Sequence, residues 1–360
     1  MSASQANPLD ETPAAGDSSG GGLPHGSAPG GPSPRAARIR ANLRWLAGRV
    51  GSGLVVLFLV TVLVFVATQA LPSDVAQTIL GRGASPEQIA NLRERLGLDQ
   101  PLVAQYFTWL GSLFTQGGGV SLSQNGSVVA AWVGPRLVAS ITLVLCGLVP
   151  AVAVSIPLGL ALARVRDSLR DRVYLGSTIV VNSLPEFVLG TLLIVLLATG
   201  VLKILPPVSM FDVTKGPLSN PVALVLPALT VFLLGVAYFS RLVRASTIDQ
   251  LRSEYLRTAE LRGASRSALM WKEALPNAAQ PMIQAVAVVF GTTLAGAVAL
   301  ETVFNYPGLG TGLITALNAR DLPLIQFIVV VIAAVFVLAN LLADIVTSLI
   351  TPSARLTEER

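Results

Sequence analysis

The sequence predicts an all-α, polytopic membrane protein with six transmembrane helices. Three observations predict it. Apolar residues make up 52% of the 360 residues and charged residues only 12%, where soluble domains carry roughly 25% charged residues. The mean hydropathy is +0.67. Six runs stay apolar for longer than the about 20 residues a helix needs to cross the hydrocarbon core. They are 50–73, 137–163, 173–202 (broken only by Glu186), 216–240, 274–300 and 322–352 (broken only by Asp344).

Each segment follows in order. Residues 1–34 hold six Pro, seven Gly and six Ser, a composition that cannot bury enough apolar area to offset its ordering entropy, so a disordered cytoplasmic tail is expected. Residues 35–73 form a basic flank and the first span, whose apolar run is too long for a cleaved signal peptide. The long loop 74–136 faces the outside and holds two short helices. One covers 86–96, with Ser85 as N-cap, Pro86 at the first helical position and Gly97 as C-cap; the other covers 102–114. Residues 137–352 hold the remaining five spans, with a structured inner loop at 241–277, and 353–360 form a short tail. With the N-terminus inside, inner segments carry 18 Lys and Arg and outer segments seven, which places both termini in the cytoplasm.

Rare residues exclude whole chemistries. The single Cys146 forbids an intrachain disulfide, and the single His25 lies in the tail, far from any triad or zinc motif. None of the three lysines, Lys203, Lys215 and Lys272, follows a glycine, so no Walker A phosphate loop is present and no cofactor is expected in this chain. The net charge of +5 reads as basic flanks of membrane spans, with the lipid bilayer as partner and no nucleic acid.

The inner loop reads as a helical hairpin. Ser246-Thr-Ile-Asp249 matches a capping box and starts a helix expected over 248–262. Ile248, Leu251, Tyr255, Ala259 and Arg262 would share its inner face; Gly263 breaks it, and Ser265 caps a second helix through Glu273. Such a hairpin can rest on lipid headgroups or dock a cytosolic protein.

Arg257-Thr-Ala-Glu-Leu-Arg-Gly263 followed by Leu275-Pro276-Asn277 resembles the Glu-Ala-Ala loop of binding-protein-dependent ABC importer permeases, in the form used by the dipeptide/oligopeptide branch. Arg257, Thr258 and Ala259 occupy the Glu-Ala-Ala positions. The likeness covers roughly 44–352. It includes the segment 92–101 with Tyr106 and Trp109, the stretch Asn182-Ser-Leu-Pro-Glu-Phe187, the stretch from Glu301 through Gly310, and Arg320-Asp-Leu-Pro323. The chain departs from that subfamily at Pro72-Ser-Asp-Val75 and at Gly117-Gly-Gly-Val-Ser121.

The resemblance implies a type I (methionine-importer-like) permease fold and a transport subunit without its own ATPase site, in the bacterial inner membrane. It implies as partners a second homologous permease subunit, two ABC ATPase subunits that bind ATP and Mg, an extracytoplasmic substrate-binding protein and a peptide substrate. Nickel chelates or glutathione remain open as substrates within the family, and an ion-coupled secondary transporter stays as the outside alternative. The implied ATPase-coupling residues are Tyr255, Arg257, Thr258, Ala259, Glu260, Gly263, Leu275 and Pro276. Candidates for the translocation path are Glu186, Asn182 and Ser183. Candidates for an outer gate or a binding-protein contact are Glu301, Phe304, Tyr306, Pro307, Gly308 and Asp321. Asp344, mid-span, reads as structural.

Overall fold

The computed structural model describes residues 34–69, 83–95, 99–124, 126–200, 202–263, 265 and 269–350. The side chains of 34–42, 92, 95, 255, 257, 260, 272–274, 276–280 and 350 are outside that description. So are the expected tails, save Pro34, and the expected C-cap Gly97.

Among the described residues the chain is helical, in the order α1 (Pro34–Gln69), α2 (Pro86–Arg95), α3 (Leu102–Thr115), α4 (Val129–Arg164), α5 (Leu169–Ser183), α6 (Glu186–Leu193), α7 (Pro221–Leu251), α8 (Glu254–Leu261), α9 (Leu275–Phe304), α10 (Leu309–Ala319) and α11 (Leu322–Ile350). Wide π-type turns extend α6 through Ile194–Thr199 and precede α9 at Leu269–Ala274. The chain divides into two units, Met1–Ala47 and Gly48–Arg360. The described part of the first is the start of α1; the contacts and sites below lie within the second.

Among the described residues five helices are long and apolar enough to span a membrane: Leu43–Gln69, Val129–Arg164, Pro221–Leu251, Pro281–Phe304 and Leu322–Leu349. The sixth apolar run is not one rod. α5 and α6 bend by 102° at Leu184–Pro185. The ring of Pro185 forces Leu184 out of the helical region to φ −80°, ψ 131°, and Pro185 itself is extended. The apolar run 173–202 is therefore a broken span.

A second departure concerns α7. Its helix does not end at Ser240, where the apolar run stops, and no new helix starts at the Ser246 capping box; α7 continues to Leu251. Charge at Arg241 and Arg244 ends the apolar run, which is no reason for a backbone helix to stop.

Small residues let α4 and α7 approach closely. Gly147, Ala151, Ser155 and Gly159 repeat every four residues along one face of α4 and are all buried. A Cβ on Gly147 would stand 2.5 Å from Val231, and one on Gly159 2.6 Å from Val243. The main apolar core lies beside this seam, built from Leu143, Leu148, Leu226, Phe239, Leu300 and Phe304. Between α1 and α4 the expected helices form. Ser85 and Gln88 cap α2 reciprocally, and Tyr106 of α3 bonds Thr61 of α1 at 2.8 Å within a cluster of Phe65 and Trp109.

Candidate functional site

Three places matter: the hairpin where α7 meets α8, a cavity at the helix break, and the corner between α9 and α10.

At the hairpin, α7 ends in a tight turn in which Arg252 and Ser253 donate to the carbonyls of Asp249 and Gln250. The Ser253 hydroxyl then accepts from the Leu256 amide at 3.4 Å and starts α8. This break resets the helical phase, so the single helix expected over 248–262 is replaced by two. Leu256 turns inward and packs with Leu269 and Ala259, whereas Leu251 and Arg262, expected on the inner face, are exposed. Thr258 and Gly263 are exposed as well, and Leu261 presents 83% of its surface to solvent. Gly263 has φ +85°, the left-handed region that only glycine enters freely, and closes the hairpin. Tyr255, Arg257 and Glu260 lie on α8, with side chains outside the described residues, as is the Pro276 side chain in α9. Leu275 does not join this surface; it packs with Leu160, Val243 and Met270 beneath it.

One ion pair holds the foundations of the hairpin. Arg244 of α7 donates from Nε and from Nη2 to the two carboxylate oxygens of Asp171 in α5, each at 2.6 Å. Asp171 is buried, accepts a third bond from the Asp167 amide at 3.0 Å, and sits in the first turn of α5 behind the Ser168 cap. Such bidentate geometry is the strong form of the charge-assisted hydrogen bond. One helical turn further on, the hydroxyls of Tyr174 and Ser240 meet at 2.7 Å. The sequence reading missed this pair, because Asp171 stands in a run of arginines and its partner is 73 positions away.

The cavity has a volume of about 430 Å³ and lies where α5 and α6 break apart beside α4, α7 and α9. Asn182 and Glu186, from the two sides of the break, both line it. Ser183 does not; its hydroxyl donates back to the Ile179 carbonyl at 2.8 Å. Thr292, Thr293 and Tyr238 supply the other polar groups, on walls of Leu and Val. Glu186 comes to rest against Gly296, where an added Cβ would stand 2.9 Å from its Oε1.

The corner joins α9 to α10. Glu301 is fully buried and acts as a cap across the turn. It accepts from the Ser140 hydroxyl at 2.5 Å, from the Gly310 amide at 2.7 Å and from the Thr311 amide at 3.1 Å. Ser140 in turn accepts from the Leu309 amide at 2.8 Å. The first three amides of α10, orphaned in any helix, thus all find acceptors, and the negative charge stands at the positive end of the helix dipole. A side chain on Gly308 would collide with the carboxylate, and one on Gly310 with the backbone of Val298. Tyr306 donates to the Ala139 carbonyl at 2.7 Å; burial, with the adjacent Glu301, holds its phenol well above the ordinary tyrosine range and keeps it a donor.

Asp321 does the same for α11. One oxygen accepts from the Leu324 amide, and the other from the Ser121 hydroxyl at 2.5 Å and from the amide and hydroxyl of Ser123. It therefore ties the Gly117–Ser121 loop to the last span. Burial corrects one expectation here. Glu301, Phe304, Tyr306 and Asp321 are each 0% exposed, so their side chains offer no surface for a docked binding protein. Gly308 is buried and Pro307 half-buried; the exposed residues of this turn are Thr302 and Asn305.

Asp344 meets Gln284 of α9 at 3.0 Å and Arg49 of α1 at 3.5 Å, a bridge among three spans.

Comparison with known proteins agrees with this architecture. Residues 155–356 match the family described as the binding-protein-dependent transport system inner membrane component, and residues 42–145 match the N-terminal part of such components. The chain is similar to a Sinorhizobium fredii protein named "Probable peptide ABC transporter permease protein y4tP", 32% identical over 311 residues, covering 86% of this chain and 99% of that one. It is similar also to the dipeptide transport system permease protein DppB of Escherichia coli, 32% identical over 338 residues, covering 87% and 99%. These matches lead to one conclusion: the chain belongs to the multi-pass inner membrane permeases of binding-protein-dependent ABC importers, which have no ATPase domain of their own and work with ATPase subunits that bind the nucleotide and with a binding protein.

Proposed function

We propose that this permease imports peptides, pairs with a second homologous permease, and keeps both termini in the cytoplasm. The names of its relatives support the peptide reading. The excess of Lys and Arg on inner loops supports the orientation.

In this reading α8 is the coupling helix, and the observation that carries it is the split use of its faces. Leu256 anchors α8 to its own subunit while Thr258, Leu261 and Arg262 stand free at the tip. An 83%-exposed leucine beside an exposed arginine is a surface that a cytosolic partner covers. Arg257 and Glu260 supply the polar contacts at that partner's groove. When ATP closes the ATPase pair, α8 moves as a rigid body, and α7, separated from it by only one turn, carries the displacement to the cavity. Asn182 and Glu186 line the solute path, and the corner at Glu301 and Asp321 frames the outer mouth. ATP supplies the energy outside this chain, which contributes the path, the alternation and the docking surface.

The test is a transporter reassembled from the permease pair, ATPases and binding protein, assayed for ATP-driven uptake of dipeptides. Deleting 254–263 should leave an inserted protein that no longer retains the ATPase. Stoichiometric retention with transport in the deleted form would overturn the coupling assignment.

A further inference from the structure

Four carboxylates embedded in this chain find partners inside it: Glu301 and Asp321 at helix caps, Asp171 on Arg244, and Asp344 on Arg49 and Gln284. Glu186 differs. Among the described residues, no donor or cation meets its carboxylate, and it is the charged residue among those lining the cavity. It is half-buried, not sealed. A carboxylate held unpaired within a membrane span is costly unless water or a ligand reaches it. Its position is also fixed: Pro185 sets the break immediately before it, and Gly296, lacking a Cβ, leaves the space its oxygen occupies.

The remaining polar groups fit one ligand class. Asn182, Thr292, Thr293 and Tyr238 offer neutral oxygens and an amide around that single negative charge, and no arginine or lysine lines the cavity. The Thr292 hydroxyl already donates to backbone carbonyls of its own helix, so its oxygen can act only as an acceptor toward a guest. A carboxylate that is the one charge in a cavity otherwise lined by neutral groups attracts a cationic group that carries N–H donors and repels an anion.

We infer that Glu186 is a specificity-determining residue of the transport path: with its neighbours it forms a subsite for a positively charged group on the passing solute, and it disfavours anionic solutes. This rests on the reading of the chain as a peptide permease and adds to it a charge preference exerted within the membrane, separate from the selection made by the binding protein.

The experiment uses the full transporter in proteoliposomes and three peptides with the same free termini, Ala-Lys-Ala, Ala-Ala-Ala and Ala-Glu-Ala. Affinity for the isolated binding protein is measured for each, and uptake is compared at equal binding-protein occupancy. The wild type should favour the lysine peptide over the glutamate peptide by about tenfold, the size a charge pair separated by several ångströms supplies at intermediate dielectric. Glu186→Gln should compress the ratio to about twofold or less, and Glu186→Lys should invert it. An unchanged order in Glu186→Gln overturns the inference, as does equal loss of all three peptides in an assembled Glu186→Gln transporter, which is the mark of a structural residue. Failure of the wild type to take up any of the three overturns the peptide reading itself, and with it this inference.

Discussion

The outer corner and the central cavity each hold a glutamate at the edge of a helix, and the two are opposites. Glu301 spends every oxygen on the protein: Ser140, Gly310 and Thr311 surround it, and it is sealed from solvent. Glu186, at the start of α6, keeps its carboxylate open to a cavity and unpaired among the described residues. A buried charge with all its hydrogen bonds made specifies structure; one left without them in a cavity is available for ligands. A glutamate beside an apolar run is therefore uninformative until its partners are known.

Substitutions separate the two regions. Glu301→Ala leaves the Ser140 hydroxyl and the Gly310 and Thr311 amides buried without acceptors, at about 1–3 kcal/mol each. It should prevent recovery of a folded, assembled permease or lower its melting temperature by the largest margin of this set. Asp171→Ala strips the partner from Arg244 and should cost about 3–5 kcal/mol, measured as thermal stability of the purified assembly. Charge exchange, Asp171→Arg with Arg244→Asp, should restore part of that loss. Gly310→Ala drives a methyl into the Val298 backbone and should cost about 1–3 kcal/mol, without any change in peptide preference. Glu186→Gln should shift stability by no more than about 0.5 kcal/mol and change only which solutes pass. A large loss of stability in Glu186→Gln would erase the contrast between the two sites.

Much of the fold was legible in the sequence because lipid imposes long apolar runs, and the capping chemistry of Ser85, Pro86 and Gln88 is local. What escaped was of two kinds. Helix ends were misplaced where polarity changed but the backbone did not: α7 runs on through Arg241 and Arg244 to Leu251. The phase reset at Ser253, which exchanges Leu256 for Leu251 on the inner face, depends on a turn that periodicity does not register. Long-range pairings were invisible. Glu301 caps a helix that starts eight positions later, on the far side of a turn, beyond the reach of any capping-box spacing. Asp321 answers Ser121 across 200 positions. One missed signal was readable: the four-residue repeat of Gly147, Ala151, Ser155 and Gly159 announces a close helix seam. Of the candidate path, Asn182 and Glu186 share the cavity and Ser183 does not, because the break at Pro185 turns the serine back onto its own helix.

The central claim is that this chain forms a path and is moved from outside by nucleotide-hydrolysing partners. It is tested most directly by accumulation assays in sealed proteoliposomes holding either the permease pair alone or the pair with its ATPases and binding protein. Uphill uptake should appear only in the complete assembly and only with ATP inside the cytoplasmic compartment. Accumulation by the permease pair alone, under a proton or sodium gradient, would contradict the account.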